Sequence, residues 1–353
     1  MDIFLILYIL SVFSGTKFEK KPKHFNSKYF SFEQCNVLKG VFAVLVVLHH
    51  ISNQTNSGII FNCLYHFGVF GTAVFFTISG YGLMTQLNNK REKYLKIFLS
   101  KRIGLILIPY SIFFVVYFIY GHFTNGLSII NAFSSLYNGN PIVTNSWYII
   151  AILYLYIQFF INANLLFLKN HKILFLISNI IAVVVYIFIC RNLHYGMWWY
   201  NTPHCFLTGI FLAMFENKIL KFFKKHYLLI LFGNLFFITF LYILKYTTKR
   251  GSTPNYIITL FFAFALSGII PIICMKVNFT ENILMKNIGK FSLELYLVHG
   301  LIMDILSKIT ICHQNELLFA ALVIIVSVII AWLFHMPINK LCSLYKTRIT
   351  VKS

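Results

Sequence analysis

The chain has 353 residues, 59% of them hydrophobic and 11% charged, with a mean hydropathy of +0.77. Soluble domains carry roughly 25% charged residues, so this composition excludes a soluble globular protein and points to an all-α polytopic membrane protein. The formal net charge of +21 does not imply a nucleic-acid partner. The Lys and Arg residues lie in short segments between apolar runs, which is how membrane loops collect positive charge.

In chain order, the first apolar stretch covers residues 3–13. It would make about 16 Å of helix, too short to span a bilayer comfortably. Asp2 precedes it and Lys17, Lys20, Lys21 and Lys23 follow it, a charge order unlike a cleaved signal peptide. An interfacial or partly inserted segment is expected. Ten predicted transmembrane helices follow, near 35–54, 64–87, 103–120, 147–167, 172–190, 198–215, 226–244, 256–275, 291–311 and 317–336. This divides the chain into an N-terminal hydrophobic and basic segment (1–33), a membrane domain (34–340) and a basic tail (341–353).

With residues 15–34 placed in the cytoplasm, 25 of the 30 Lys and Arg fall on the cytoplasmic side. Arg191, Lys245, Lys249, Arg250 and Lys308 fall outside. That asymmetry predicts cytoplasmic ends for the ten-helix core. The longest connection, Gly121–Ser146, is uncharged and rich in Asn, Ser and Gly. Such residues suit an ordinary loop, and they also suit hydrogen bonds to a polar ligand. Seven cysteines (35, 63, 190, 205, 274, 312 and 342) form no CxxC and no His/Cys ligand spacing. They read as core thiols, with no disulfide framework and no metal site.

Titratable groups inside apolar spans need a reason to be there, since a charge at the bilayer centre costs about 2.5–3.5 kcal/mol. The first span, LKGVFAVLVVLHH, is bounded by Lys39 and by His49 and His50. Lys39 and His50 stand about 16 Å apart along a helix, so one end reaches a headgroup surface while the other lies deep. His49 and His50 point about 100° apart, and at most one is expected to face a functional interior. In the second span, FFTISGYGLM places Ser79, Gly80 and Gly82 together; small residues there allow close helix approach or contact with a ligand. The basic segment NNKREKYLKIFLSKR follows and ends on Arg102. Charge sorting explains most of it, although basic residues at a pocket mouth also suit a phosphorylated donor.

The ninth span, SLELYLVHGLIMDILSK, carries Glu294, Tyr296, His299, Asp304 and Lys308. Tyr296 and His299 share a helix face. Asp304 with Lys308, and Lys290 with Glu294, are spaced i, i+4 and are expected to neutralise each other. His50 and His299 have no carboxylate at i±4. Each is either a helix-packing residue or an acid–base group, since imidazole titrates near neutrality.

Five of these segments resemble, in order, the motifs of the acyltransferase 3 family of inner-membrane O-acyltransferases. LKGVFAVLVVLHH resembles its first-helix signature of a basic residue, ten residues and a His. FFTISGYGL resembles its Phe-Phe-x-x-Ser-Gly-Tyr/Phe second helix, and KRIGLILIPY its basic entry to a Leu-Ile-Pro-Tyr third helix. SWYIIAILYLY resembles its Trp-Tyr/Phe fourth-helix entry at Trp147, and SLELYLVHG its ninth helix. The resemblance covers roughly residues 34–340.

The resemblance implies a bacterial inner-membrane enzyme. It would move an acyl group, usually acetyl, from cytosolic acyl-CoA to a hydroxyl of a cell-surface glycan, with no permanently bound cofactor. By register, His50 matches the family's general base, with His299 and Glu294 as further catalytic candidates. Lys39, Arg102 and Ser79 are the donor-binding candidates, and Gly80, Tyr81, Trp147 and Tyr296 are further motif residues. Ser79, Tyr81 and Tyr296 are alternative oxyanion donors. Lys39 stands where the family usually has Arg, giving a point charge in place of a bidentate fork. Gly104, Leu105 and Ile106 stand where many members have a second Arg, so the donor contacts of that segment depart from the family's. Two other readings stay open: a transporter or flippase of lipid-linked sugar, whose class also carries intramembrane His, Glu and Asp, and an inactive, sensor-like relative. Capsule, O-antigen, peptidoglycan, exopolysaccharide or a secreted lipid would all serve as acceptor, and the oligomeric state is not legible.

Overall fold

The computed structural model describes residues 1–21, 23–249 and 251–352, with side chains through 347. Arg250, one of the cations assigned to the outer side, and Ser353 of the basic tail lie outside the described residues.

The chain is helical almost throughout. The helices are α1 (Asp2–Phe13), α2 (Phe32–Ser52), α3 (Gly68–Lys96), α4 (Phe98–Asn125), α5 (Ile129–Tyr137), α6 (Trp147–Asn162), α7 (Lys172–Asn192), α8 (Cys205–Met214), α9 (Glu216–Lys225), α10 (Tyr227–Thr247), α11 (Thr253–Cys274), α12 (Ile283–Lys290), α13 (Ser292–Ser307), α14 (Thr310–Gln314) and α15 (Glu316–Lys352). Two two-residue strands, β1 (Lys17–Phe18) and β2 (Val277–Asn278), pair antiparallel. A 3-10 segment, Phe61–His66, lies between α2 and α3.

Among the described residues, eight helices are long and apolar enough to cross a membrane, and the protein is an all-α polytopic membrane protein. They are α2, α3, α4, α6 with the π turn that extends it to Phe167, α7, α10, α11 and α15. The two expected spans outside this set are shorter than the sequence pattern predicts. Residues 198–215 yield only the ten-residue α8, about 15 Å of helix. Pro203 has no backbone N–H and biases the residue before it away from helical geometry; Asn201 and Thr202 are buried in the irregular segment that results. Residues 291–311 yield the 16-residue α13, whose start is fixed by a break at Phe291 (φ −114°, ψ 25°). The expected loop 121–146 contains a helix of its own, α5.

The chain divides into two compact units. The first comprises residues 1–85 and 201–292, the second 86–200 and 293 onward. The first unit takes in the N-terminal segment together with the first span. Here α1 packs on α12 and on the 3-10 segment Phe61–His66: Asp2 Oδ1 accepts from the Ile60 and Phe61 amides at 3.0 and 2.8 Å. Tyr8 donates to the Val41 carbonyl at 3.0 Å, and Asn282 Nδ2 donates to the Ser11 and Val12 carbonyls. Seventy-two per cent of the most apolar window of α2 is buried, against 6% of that of α10. The exposed Leu and Phe side chains of α10 therefore make a lipid-facing surface, while α2 is a central helix. In the second unit α4 packs on α6 and α15, and α6 on α7. The basic tail continues α15 as helix to Lys352.

Candidate active site

Helix α2 starts where the sequence supplies a cap. Ser31 Oγ accepts from the Gln34 amide at 3.3 Å, with Glu33 in the first turn favoured by the helix dipole. Gln34 is buried and satisfied at both ends of its amide: Nε2 donates to the Val277 carbonyl at 2.9 Å and Oε1 accepts from the Phe279 amide at 3.0 Å. Gly40 and Gly289 bring α2 and α12 together. A Cβ on Gly40 would collide with the Met285 carbonyl, and one on Gly289 with the Asn36 carbonyl. Lys39 lies half-buried at this fixed end.

At the other end of α2 the two imidazoles have different surroundings. His49 Nδ1 lies 2.9 Å from the Leu64 carbonyl, an acceptor, so this nitrogen carries the proton. Its Nε2 then accepts from Asn53 Nδ2 at 3.3 Å. The ring packs closely enough against Gly68 that a Cβ there would strike it. His49 is therefore a packing residue with both nitrogens engaged. His50 is half-buried, with its ring 4.9 Å from that of His49 and tilted by 57°.

The FFTISGYG segment lies on α3 against α8. Thr77 Oγ1 donates to the Ala73 and Cys205 carbonyls, both at 3.0 Å. Gly80 faces the Phe206 carbonyl and Gly209 the Thr77 carbonyl, each too close for a Cβ. A Cβ on Gly82 would meet no heavy atom within 4 Å, and Ser79 is half-buried. Tyr81 does not point at an open site. Its hydroxyl donates to Glu216 Oε1 at 2.7 Å, and Tyr29 donates to the same oxygen at 2.9 Å. Burial, and then the neighbouring Tyr81 and Glu216, hold the pKa of Tyr29 far above its ordinary value, so it remains a donor. The carboxylate also stands in the first turn of α9, where the helix dipole favours it.

This arrangement predicts that Tyr81→Phe and Glu216→Gln are coupled. A hydrogen bond to a charged group contributes about 1.5–3 kcal/mol, reduced by the half-exposed carboxylate, so a coupling of about 1 kcal/mol is expected from a double-variant cycle on thermal unfolding. Strict additivity of the two losses would show that the pair does not hold α9 to α3.

In the second unit, Arg102 is half-buried and donates through Nε to the Tyr94 hydroxyl at 3.2 Å, with its guanidinium carbon 5.8 Å from that ring's centroid. Tyr94 follows the break of α3 at Arg91 (φ 44°, ψ −124°). Trp147 is buried at the start of α6. Just before it, Asn145 adopts a left-handed φ of 64°, which Asn tolerates better than most residues. Helix α13 clasps this turn: Tyr296 donates its hydroxyl to the Asn145 carbonyl. The fully buried His299 takes the Asn145 side-chain amide on Nε2 at 3.4 Å, while its Nδ1 donates to the Leu295 carbonyl at 3.2 Å. His299 is thus placed as a satisfied core histidine. Asp304 and Lys308 pair at 2.8 Å, joined by Tyr120. Lys290 and Glu294 do not follow the expected i, i+4 pattern, because the break at Phe291 separates their helices. Lys290 donates to Asn287, and Glu294, buried, accepts from His335 Nδ1 at 2.9 Å. Among the described residues no group of three or more His, Cys, Asp or Glu is placed to hold a metal ion, and all seven cysteines are free, six of them buried.

A family model described as an acyltransferase domain, acyltransferase 3, matches residues 32–336. The chain belongs to the acyltransferase 3 family. Neither a curated protein nor a solved structure matches it. In this membrane acyltransferase the matched region begins at α2 and ends on α15, so it takes in Lys39, His50, the Ser79–Tyr81 segment, Arg102, Trp147 and Glu294–His299. Three residues that hold these motif residues in place are not marked by the sequence motifs themselves. Glu216 has a signal: an acidic residue opening ENKILKFFKK, with lysines closing it, is a helix-start pattern. His335, the partner of Glu294, is itself an imidazole within the last apolar span. Asn145 has only its tolerance of left-handed geometry to mark it.

Proposed function

We propose that this acyltransferase moves an acyl group, most simply acetyl, from acyl-CoA to a hydroxyl of a cell-surface polysaccharide or related glycan. It would act in a bacterial cytoplasmic membrane with both ends of its helical core in the cytoplasm. One observation carries the reading: within the family's spacing of a basic residue, ten residues and a His, the neighbour His49 is committed to Leu64 and Asn53. His50, which stands at the family's His position, is the imidazole of α2 assigned to chemistry. Its unprotonated nitrogen takes the proton from the acceptor hydroxyl as that oxygen attacks the thioester carbonyl. The tetrahedral oxyanion collapses, the C–S bond breaks, and the imidazolium returns the proton to the leaving thiolate. No covalent acyl-enzyme is required. Lys39, about 16 Å along the same helix, would face the phosphorylated end of the donor.

The test compares the surface glycan of cells carrying the active protein with that of cells carrying His50→Ala. Loss of O-acyl groups with glycan amount unchanged is the expected result. Loss of glycan at the surface, with its acylation intact, would instead favour a carrier of lipid-linked sugar.

A further inference from the structure

The first unit contains a basic cleft of about 730 Å³, lined by Lys23, His24, Phe25, Lys224 and Lys225. None of these lining residues is acidic. One wall is the loop that follows β1, and it is firmly tied to the segment after α11. Glu19 donates its amide to the Lys276 carbonyl and Asn26 its amide to the Met275 carbonyl, both at 2.8 Å. Asn26 Nδ2 reaches the Cys274 carbonyl at 3.3 Å. Lys276 Nζ closes the loop from beneath, donating to the Lys21 and His24 carbonyls. The same ammonium lies 4.3 Å from the Phe25 ring centroid, and Tyr227 meets that ring edge-on at 5.5 Å. The other wall is the end of α9, whose Lys224 Nζ is 6.0 Å from the Phe25 centroid.

Charge sorting places lysines on one side of a membrane, but it does not gather them around a hollow with a braced aromatic floor. Clustered ammonium groups repel one another, and a polyanion relieves that repulsion. The position adds to this. Residues 274–279 both anchor the cleft loop and receive the buried Gln34 side chain of α2, so the cleft stands at the Lys39 end of that helix and not at the His50 end.

Resting on the acyl-CoA reading above, we infer that this cleft binds the phosphorylated nucleotide end of the donor. The lysines take the diphosphate and 3′-phosphate as point charges, and Phe25 offers a face to the adenine. The same phosphate chemistry on a lipid headgroup is the rival occupant, and the experiment separates the two.

The full chain is reconstituted in nanodiscs of phosphatidylcholine, with and without phosphatidylglycerol, and binding of coenzyme A and of 3′-dephospho-coenzyme A is measured calorimetrically. Coenzyme A is expected to bind in pure phosphatidylcholine and more tightly than its dephospho form. The double variant Lys224→Ala/Lys225→Ala is expected to lose at least about tenfold in affinity and most of that preference. Lys218→Ala/Lys221→Ala removes the same charge from α9 outside the cleft lining, and its affinity is expected to match the unsubstituted protein. Unchanged affinity in Lys224→Ala/Lys225→Ala, or equal loss in both double variants, overturns the cleft assignment while leaving the acyl-CoA reading standing. Absence of any coenzyme A binding by the unsubstituted protein overturns the donor reading itself. A cleft filled by phosphatidylglycerol that coenzyme A does not displace overturns the nucleotide assignment in favour of a lipid headgroup.

Discussion

His50→Ala is expected to lower acyl-transfer turnover by about 10²–10⁴-fold, the range that a positioned general base contributes. The loss should fall on turnover more than on the melting temperature, because His50→Ala leaves the His49 contacts to Leu64 and Asn53 in place. His49→Ala should behave in the opposite way. It removes the donor to the Leu64 carbonyl, the acceptor for Asn53 and the ring that fills the space over Gly68. Leaving such groups without partners costs about 1–3 kcal/mol, so a lowered melting temperature is expected with turnover retained within about tenfold. Turnover of radiolabelled acyl donor and thermal unfolding, measured on the same nanodisc preparations, separate the two effects. If His49→Ala were as inactive as His50→Ala while melting normally, the assignment of the base to His50 would fall.

The contrast between those two neighbours shows where sequence reasoning reaches its limit. Helix periodicity states that their side chains point about 100° apart, but not which of them meets the Phe61–His66 segment. The apolar spans were legible because a bilayer sets a minimum length and hydropathy for each helix. Their ends were less so: α8 is cut short by Pro203 and the start of α13 is set by a break at Phe291. That same break undid the expected Lys290–Glu294 pair, whose i, i+4 logic assumed one continuous helix. Glu294 finds His335 41 residues away, and Tyr81 finds Glu216 135 residues away. Motif residues were visible in the sequence; the partners that hold them were visible only once distant helices had been packed together.

The two glycines of the Ser-Gly-Tyr-Gly segment should respond to one added methyl group in opposite ways. Gly80→Ala pushes a Cβ into the Phe206 carbonyl, at a crossing where Gly209 also faces the Thr77 carbonyl. The obstacle is backbone on both sides, so no side-chain rotation relieves it and α3 and α8 must separate. Overpacking of this kind costs about 1–3 kcal/mol, occasionally more, and separation would also strip the Thr77 hydroxyl from the Cys205 carbonyl. Tyr81 is the next residue, so its bond to Glu216 should loosen as well, and activity should fall with stability. Gly82→Ala, two residues on, meets open space and should gain from helix propensity, up to about 1 kcal/mol. The two alanine variants are therefore expected to shift the melting temperature in opposite directions. A Gly80→Ala protein that melts normally yet has lost acyl transfer would mean that Gly80 is small to admit a substrate, not a neighbouring helix.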